Sequence, residues 1–248
     1  MSGHSKWSTI KRKKGVNDAR RGAIFTKMAR EIQVAARDGA DPEFNFRLRL
    51  IVDKAKAANM PKDNIARAIR RGAGLEKGAE LEEITYEGYG PGGVALFLEV
   101  LTDNRNRAIA EIRYVLNRGN GTLGEGGSVS WQFESRGYIA LPMGGHEQDD
   151  VFMVALEAGA DDVEFSDSIA EVYTEPADLK RVQDAFEAEG FEVDTAELTK
   201  TPKTPLSLDE KTTRAAMALI ESLEDLEDVT NVYSNLDISD EILADLAV

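Results

Sequence analysis

Residues 138–199 read YIALPMGGHEQDDVFMVALEAGADDVEFSDSIAEVYTEPADLKRVQDAFEAEGFEVDTAELT. Short runs rich in β-branched and aromatic residues alternate here with longer runs whose apolar residues recur at helical spacing. The pattern predicts the order strand, helix, strand, strand, helix, strand, which is typical of a ferredoxin-like domain. The predicted elements are strand 138–141, helix 150–158, strand 162–165, strand 169–174, helix 177–189 and strand 192–199.

The sequence on both sides of this segment predicts a second α+β domain in two halves. The helix and the strand of the downstream half have no partner close in the sequence. Both gain one if the halves join, so we expect the ferredoxin-like domain to be inserted in the other domain. The elements predicted outside the insertion are strands 94–101, 128–133 and 229–235 and helices 104–118 and 208–226.

The first third of the chain favours helices. Three runs of apolar residues at helical spacing predict a small helical domain, and the basic segment before it contains too few apolar residues to pack, which indicates a flexible arm. The chain is therefore expected to be an α+β protein, with an N-terminal three-helix domain followed by two α+β (ferredoxin-like) domains, one inserted in the other. The expected domains are the arm 1–21, the helical domain 22–78, the discontinuous domain 79–134 and 206–248, and the inserted domain 135–205.

Charge is distributed unevenly along the chain. Residues 1–78 hold 19 of the 30 Lys and Arg but only 8 of the 45 Asp and Glu, a net charge of +11. Residues 79–248 carry a net charge of −26, so the overall net charge of −15 conceals a basic first third. This asymmetry predicts a polyanion-binding segment attached to an acidic body. An unevenly charged, solvated surface is the alternative interpretation.

Composition narrows the class of protein. The chain has no Cys, which excludes disulfides and thiolate metal sites. Its most apolar run, 94–101, is far shorter than a membrane span, and its first residues lack the apolar core of a secretory signal. We therefore expect a cytoplasmic protein that makes no membrane contact. The sequence does not indicate an oligomeric state.

The segment Thr102-Asp103-Asn104-Arg105-Asn106-Arg107 joins a predicted strand to a predicted helix. Free N–H groups and the dipole at a helix N-terminus favour an anion there. Arg105 and Arg107 would add positive charge, so the segment is a candidate contact for a nucleic-acid backbone. Capping of the helix by Asp103 or Asn104 is the structural alternative.

Little in the sequence predicts catalysis or a cofactor. The chain has two His, His4 and His146, and no spacing typical of a nucleophilic triad. The glycine patterns 88–93 and 119–124 match G-x-G-x-x-G, but the first precedes a strand and the second follows a helix, so turns are expected there. We expect no enzymatic activity, no metal and no cofactor. A carboxylate-metal nuclease is the outside alternative.

Three groups of motifs lie along the chain. They are Gly3-His4-Ser5-Lys6-Trp7 with Ile10-Lys11-Arg12-Lys13-Lys14, Asp18-Ala19-Arg20-Arg21-Gly22 and Phe25-Thr26-Lys27; Tyr86-Glu87-Gly88-Tyr89-Gly90-Pro91-Gly92-Gly93-Val94 with Leu101 to Arg107; and Gly121-Thr122-Leu123-Gly124 with Gly127-Ser128-Val129-Ser130-Trp131-Gln132-Phe133. Together they resemble the YebC/PmpR family, whose mitochondrial relative is a translational activator of cytochrome c oxidase subunit one. The similarity spans essentially the whole chain and is weakest in residues 136–205. Arg12 stands where family members often have His, and Phe46 stands where they often have Pro.

The resemblance implies an N-terminal helical domain and two α+β domains, in agreement with the patterns above. Family members are described as DNA-binding transcriptional regulators, whereas the mitochondrial branch and part of the bacterial one are tied to translation on the ribosome. The expectation is therefore a non-enzymatic, nucleic-acid-binding regulator of gene expression, first of all a DNA-binding transcriptional regulator. The alternative is a ribosome-associated translation factor that binds rRNA or tRNA.

The arm and the first helical domain are the expected contact surface. Their Lys and Arg side chains would neutralise phosphates without reading the sequence. Trp7 would either stack on an unpaired base or anchor the arm to the helices. The third predicted helix, which follows Pro61, presents several Arg to a groove. The predicted nucleic-acid-binding residues are His4, Lys6, Trp7, Lys11, Arg12, Lys13, Lys14, Arg20, Arg21, Lys27, Arg67, Arg70, Arg71, Arg105 and Arg107.

Overall fold

The structure is a computed structural model that describes residues 18–166, 168–239 and 242. The described chain forms two compact units. The first comprises the residues up to Phe133 together with those from Pro202 onward, and the second comprises Glu134–Thr201. The second unit is therefore inserted in the sequence of the first. The mixture of an N-terminal helical part and α+β parts confirms the predicted fold class.

Helices and strands alternate after the first three helices. The helices are α1 (Asp18–Ala35), α2 (Phe46–Ala57), α3 (Lys62–Gly72), α4 (Arg105–Arg118), α5 (Gln148–Ala158), α6 (Leu179–Ala188) and α7 (Glu210–Glu224). The strands are β1 (Glu82–Tyr89), β2 (Ala95–Thr102), β3 (Thr122–Leu123), β4 (Phe133–Pro142), β5 (Asp162–Phe165), β6 (Ile169–Thr174), β7 (Thr195–Pro202), β8 (Leu206–Ser207), β9 (Val229–Ser234) and β10 (Leu236–Asp237). Short 3₁₀ turns lie at Ala36–Asp38, Pro91–Gly93 and Ser130–Gln132.

The first three helices pack around a small apolar core. Ile32 of α1, Leu48 of α2 and Ile65 of α3 are buried in it because each lies on the apolar stripe of its helix. Gly72 lets α3 approach α1 closely, since a Cβ at this position would lie 2.1 Å from the carbonyl oxygen of Gln33. The described part of α1 begins at Asp18, so residues 18–21, assigned to the arm from the sequence, are helical.

An antiparallel sheet with the order β3-β1-β2-β9 forms the rest of the first unit's core. Strand β2 is buried on both faces, as its nearly continuous apolar run predicts. Leu96 and Leu98 pack in the main core with residues of α4 and α7. Phe97 points to the opposite face, where its ring contacts those of Phe133 and Tyr233. The sheet therefore fixes both the α4 N-terminus and the segment before β4.

The second unit has a four-stranded sheet with the order β5-β6-β4-β7. Helices α5 and α6 bury Val151, Val182 and Phe186 beneath it. The strand order and the βαββαβ sequence of elements confirm the ferredoxin-like arrangement. The first and last strands of the unit, β4 and β7, are neighbours, and just beyond their ends the N–H of Lys203 donates to the carbonyl oxygen of Gln132 at 2.8 Å.

In the first unit's sheet region, one predicted strand was wrong and one strand was missed. The strand predicted over 128–133 is interrupted, because Ser130–Gln132 forms a 3₁₀ turn and β4 begins only at Phe133. Strand β1 was not predicted, because charged residues at its start and Gly88 near its end break the alternation of apolar and polar residues. Both differences lie beside the motifs that carry the family resemblance.

Candidate nucleic-acid interface

Nine of the fifteen predicted contacts belong to the N-terminal arm, residues 1–21. His4, Lys6, Trp7, Lys11, Arg12, Lys13 and Lys14 lie outside the described residues. Arg20 lies in α1, but its side chain is outside the described part as well. Arg21 is exposed on α1 and interacts with a neighbouring group. The predictions for the arm therefore stay predictions.

Helix α3 presents a basic face. Its side chains Ile65 and Ala68 are buried, which turns Arg67 and Arg71 outward on the opposite side. Neither guanidinium has an ion pair or hydrogen bond within the described residues. Arg70 is different, because its Nε lies 2.6 Å from Oε1 of Glu76. Arg67 and Arg71 are four residues apart, so they lie on one face and their charges are available to an anion.

Lys27 and Arg30 reach the turn between α7 and β9. The Lys27 ammonium donates to the carbonyl oxygen of Glu224. Arg30 donates from Nη1 to Oδ1 of Asp228 at 2.6 Å and from Nη2 to Oε1 of Glu227 at 2.5 Å. The structure thus gives Lys27 a partner inside the first unit. Arg30, which was not predicted, joins α1 to the same turn.

Asp228 is the centre of a charged cluster at the α4 N-terminus. Its side chain is 2% exposed. Its carboxylate accepts from Nη2 of Arg107 at 2.9 Å and from Oγ1 of Thr102 at 2.9 Å, in addition to Arg30. Asp103 accepts from the same Arg107 Nη2 at 2.8 Å. These bonds to Asp228 and Asp103 raise the pKa of Arg107, and the bond from Arg107 lowers the pKa of Asp103.

The first turn of α4 shows what each residue of the 102–107 segment does. The side chain of Asn104 caps the helix, since its Oδ1 accepts from the N–H of Arg107 at 3.1 Å. Arg107 is held by the buried Asp228, so only part of its guanidinium is open to solvent. Arg105 is exposed and has no partner within the described residues. Of the two predicted arginines, Arg105 is the one whose charge is uncommitted.

The outer face of α4 was not predicted as a unit. Ala108, Ile112 and Leu116 are buried, so the opposite side of the helix carries Tyr114, which is 64% exposed. Arg113 is the preceding residue and Arg118 follows four residues later, one turn along the same side of the helix, and both are exposed. The feature of the sequence that could have indicated this face is the clustering of four Arg between residues 105 and 118 of an otherwise acidic region.

A buried carboxylate organises the segment before β4. Oε2 of Glu87 accepts from the N–H of Val129 at 2.6 Å and from that of Ser130 at 2.9 Å, and its Oε1 accepts from Gly127 at 2.8 Å. Burial opposes ionisation of Glu87, but these backbone bonds outweigh it, so the pKa of Glu87 lies below its ordinary value. The same segment carries Trp131, which is 67% exposed.

Across residues 18–166, 168–239 and 242, no group of three or more His, Asp or Glu is arranged to hold a metal ion. His146, in the second unit, stacks on Phe191 with a centroid distance of 4.4 Å. None of the helices in this part of the chain combines the length and apolarity needed to cross a membrane.

Known proteins resemble the chain over both units. Residues 5–75 match the TACO1/YebC protein N-terminal domain, and residues 81–236 match the TACO1/YebC second and third domain. A probable transcriptional regulatory protein of Trichlorobacter lovleyi is 52% identical over 96% of this chain and 97% of its own length. Another probable transcriptional regulatory protein, from Herpetosiphon aurantiacus, is 53% identical over 98% of this chain and 97% of its own length.

The fold also matches a solved structure. The crystal structure of a conserved hypothetical protein from Aquifex aeolicus superimposes with a TM-score of 0.83 at 43% identity, covering 91% of this chain and 94% of the other. The predicted resemblance is confirmed, since both family matches and full-length relatives at about half identity agree with it. The chain belongs to the TACO1/YebC family.

Proposed function

We propose that this protein is a non-enzymatic, DNA-binding regulator of transcription that acts in the cytoplasm. The observation that carries the proposal is the outward face of α3, where Arg67 and Arg71 stand exposed and without partners in the described chain. The names of its relatives, probable transcriptional regulatory proteins, support the same class.

The geometry of α3 suits a groove of the duplex. Asn64, Arg67 and Arg71 follow the spacing i, i+3, i+7, which places them along one face of the helix. Arg binds guanine edges and phosphates, and Asn binds adenine, so this face combines backbone and base contacts. The net charge of +11 on residues 1–78 adds a sequence-independent attraction to phosphates.

The test is binding of a fluorescently labelled DNA duplex, followed by anisotropy over a series of salt concentrations. The variant Arg67→Ala/Arg71→Ala is expected to weaken binding and to reduce the slope of log K against log salt by about two units. Lys180→Ala/Lys211→Ala is the matched control, because it removes two cations from other helices. Equal effects of both variants on binding would contradict a specific role for α3.

A ribosome-associated translation factor that binds rRNA or tRNA is the second candidate. The observation that favours it is the exposed Tyr114 between Arg113 and Arg118, since aromatic rings beside cations are typical of sites for unpaired bases. Ultraviolet crosslinking in growing cells, with RNA and DNA recovered in parallel, separates the two candidates. Enrichment at a few promoters supports the first, and discrete rRNA or tRNA crosslinks support the second.

The absence of catalysis is part of the proposal, and a carboxylate-metal nuclease is the activity to test against it. Purified protein incubated with Mg²⁺ or Mn²⁺ is expected to leave DNA and RNA intact. Metal-dependent cleavage that disappears when an acidic side chain is replaced would overturn the non-enzymatic assignment.

A further inference from the structure

Trp131 presents an aromatic face whose polar group is already occupied. The ring is 67% exposed, yet its Nε1–H donates to the carbonyl oxygen of Ser128 at 3.0 Å. The same oxygen accepts from the hydroxyl of Tyr89 at 3.0 Å. Because the indole donor is satisfied inside the protein, the ring offers a ligand its face rather than a hydrogen bond.

The backbone that carries this ring is held from both sides. Val129 and Phe133, two residues before and after Trp131, are buried at 0% and 7% exposure. The Glu87 carboxylate accepts hydrogen bonds from the N–H groups of Gly127, Val129 and Ser130, in the segment that leads to Trp131. A carboxylate is costly to bury unless its hydrogen bonds are satisfied, and here all three of these bonds hold the Trp131 segment in place. A ring fixed in this way loses little conformational entropy when a ligand stacks on it.

A cationic residue is joined through its backbone to the residue that follows Trp131. The N–H of Lys203 donates to the carbonyl oxygen of Gln132, the residue after Trp131, at 2.8 Å. The Lys203 side chain is exposed and has no partner within the described chain. An exposed aromatic face and an exposed Lys on two backbone segments that are hydrogen-bonded to each other match a nucleotide, which has a flat base and an adjacent phosphate. A protein ligand could also pack on the ring, but it would gain less from the cation than a nucleotide with its phosphate does.

We propose that Trp131 stacks on an unpaired base of a nucleic acid and that Lys203 contacts a phosphate of the same strand. The inference deepens the proposed function and rests on it. It adds a second contact, remote in sequence from α3, and it requires a base that is not paired. Stacking tolerates any base, so this site contributes affinity for exposed strands rather than sequence recognition. The unpaired base belongs either to RNA or to locally opened DNA.

The fluorescence of Trp131 itself reports stacking. The chain contains two Trp, Trp7 and Trp131, so the full-length variant Trp7→Phe leaves Trp131 as the single indole. This variant is titrated with oligouridylate and with oligothymidylate of about 12 nucleotides, and with a DNA duplex of the same length. Stacking is expected to quench the emission with the single strands and to leave it nearly unchanged with the duplex. The ratio of the two single-strand affinities identifies RNA or DNA as the source.

Substitutions separate stacking from charge. Trp131→Ala is expected to weaken single-strand binding by about 5- to 100-fold, whereas Trp131→Phe retains most of the affinity because it keeps an aromatic face. Phe152→Ala is the matched control, since it removes another half-exposed aromatic side chain, 51% exposed, from the second unit. Lys203→Ala is expected to reduce the salt slope by about one unit. A double-mutant cycle between Trp131 and Lys203 should be non-additive if both contact one nucleotide.

The outcomes distinguish this inference from the function on which it rests. The stacking site alone would be overturned if the protein binds duplex and single strands normally, the Trp131 fluorescence stays unquenched and Trp131→Ala keeps full affinity. The exposed ring would then be left to a protein ligand. If the unsubstituted protein binds no nucleic acid, both the stacking site and the proposed function are overturned. Quenching by single strands together with a weakened Trp131→Ala variant supports the site even if α3 proves dispensable.

Discussion

The carboxylate of Asp228 receives hydrogen bonds from Arg30 of α1, Thr102 at the end of β2 and Arg107 of α4. These three side chains come from separate segments of the first unit, so one buried charge connects the helical part to the sheet. A buried carboxylate is tolerated only when such partners compensate it. Arg107 therefore has a structural role, whatever its solvent-exposed part contacts.

Replacing Asp228 with Asn is expected to lower the free energy of unfolding by roughly 1–3 kcal/mol, because two guanidinium groups lose their charged acceptor. Arg107→Ala is expected to destabilise the protein in the same direction. Arg105→Ala should leave stability unchanged, since Arg105 has no partner within the described residues. Urea unfolding followed by circular dichroism measures all three. Equal midpoints for the Arg105 and Arg107 variants would contradict the role of the cluster.

Glu87 predicts a pH dependence of stability. Its pKa is lowered from an ordinary value of 4.5, so ionisation stabilises the folded state above that pH, and the contribution is lost as the pH falls through the folded pKa. The unfolding midpoint should therefore fall on acidification below about pH 4.5. In Glu87→Gln this part of the decrease should be absent, because the amide does not titrate. Parallel pH profiles for both proteins would show that Glu87 does not contribute.

Helices and strands with regular apolar spacing could be predicted from the sequence, whereas interruptions of that spacing could not. Strand β2 and helix α4 follow from their apolar spacing within a residue or two. Residues 128–133 look equally regular, because Val129, Trp131 and Phe133 alternate with polar residues as in a half-buried strand. The 3₁₀ turn at Ser130–Gln132 breaks this alternation and turns Trp131 outward between two buried neighbours. The carboxylate of Glu87 binds the backbone at the start of this turn, and such a long-range partner is not contained in any local pattern.

Asn45 sets the start of α2 and also contacts the end of α1. Helix α2 begins at Phe46, because Asn45 caps it by accepting from the N–H of Leu48 at 3.0 Å. The Asn45 amide also donates to the carbonyl oxygens of Ala35 and Gly39 at 2.7 and 2.8 Å. One side chain therefore ends α1 and begins α2.

Asn45→Ala is expected to lower the free energy of unfolding by about 2 kcal/mol, since it removes a cap and leaves two carbonyl groups without their donor. Asn45→Asp keeps the cap acceptor but cannot donate, so it should remain destabilised. Thermal unfolding of both variants tests this expectation. A fully stable Asn45→Asp variant would mean that the bonds to Ala35 and Gly39 contribute nothing.

The molecule as a whole is organised by the insertion of one unit in the sequence of the other. The second unit is continuous in sequence, whereas the first needs residues from both sides of it. In the first unit, β9 pairs with β2 in a register that places Leu96 opposite Ser234. About half of the residues between these strands belong to the inserted unit.

This organisation predicts weak coupling between the units through chain connectivity. Phe186→Ala removes a fully buried ring from the second unit and should destabilise that unit by about 3–5 kcal/mol. Unfolding it roughly doubles the loop that β2 and β9 must close, which costs the first unit only about 0.6 kcal/mol. Urea unfolding of Trp7→Phe, with and without Phe186→Ala, reports the first unit through Trp131. A much larger loss in the first unit would contradict coupling by connectivity alone.

The hydrogen bond between Gln132 and Lys203 marks where the inserted unit begins and ends, and this arrangement bears on the order in which the units fold during synthesis. Strand β9 is made after the other three strands of its sheet, so the sheet of the first unit stays incomplete until Val229–Ser234 has been translated. The inserted unit is finished earlier and is able to fold while β9 is still being added. Because its first and last strands are neighbours, its folding brings the two ends of the first unit together before the last strand arrives. During translation the inserted unit is thus expected to complete its fold first and the first unit to complete its fold last.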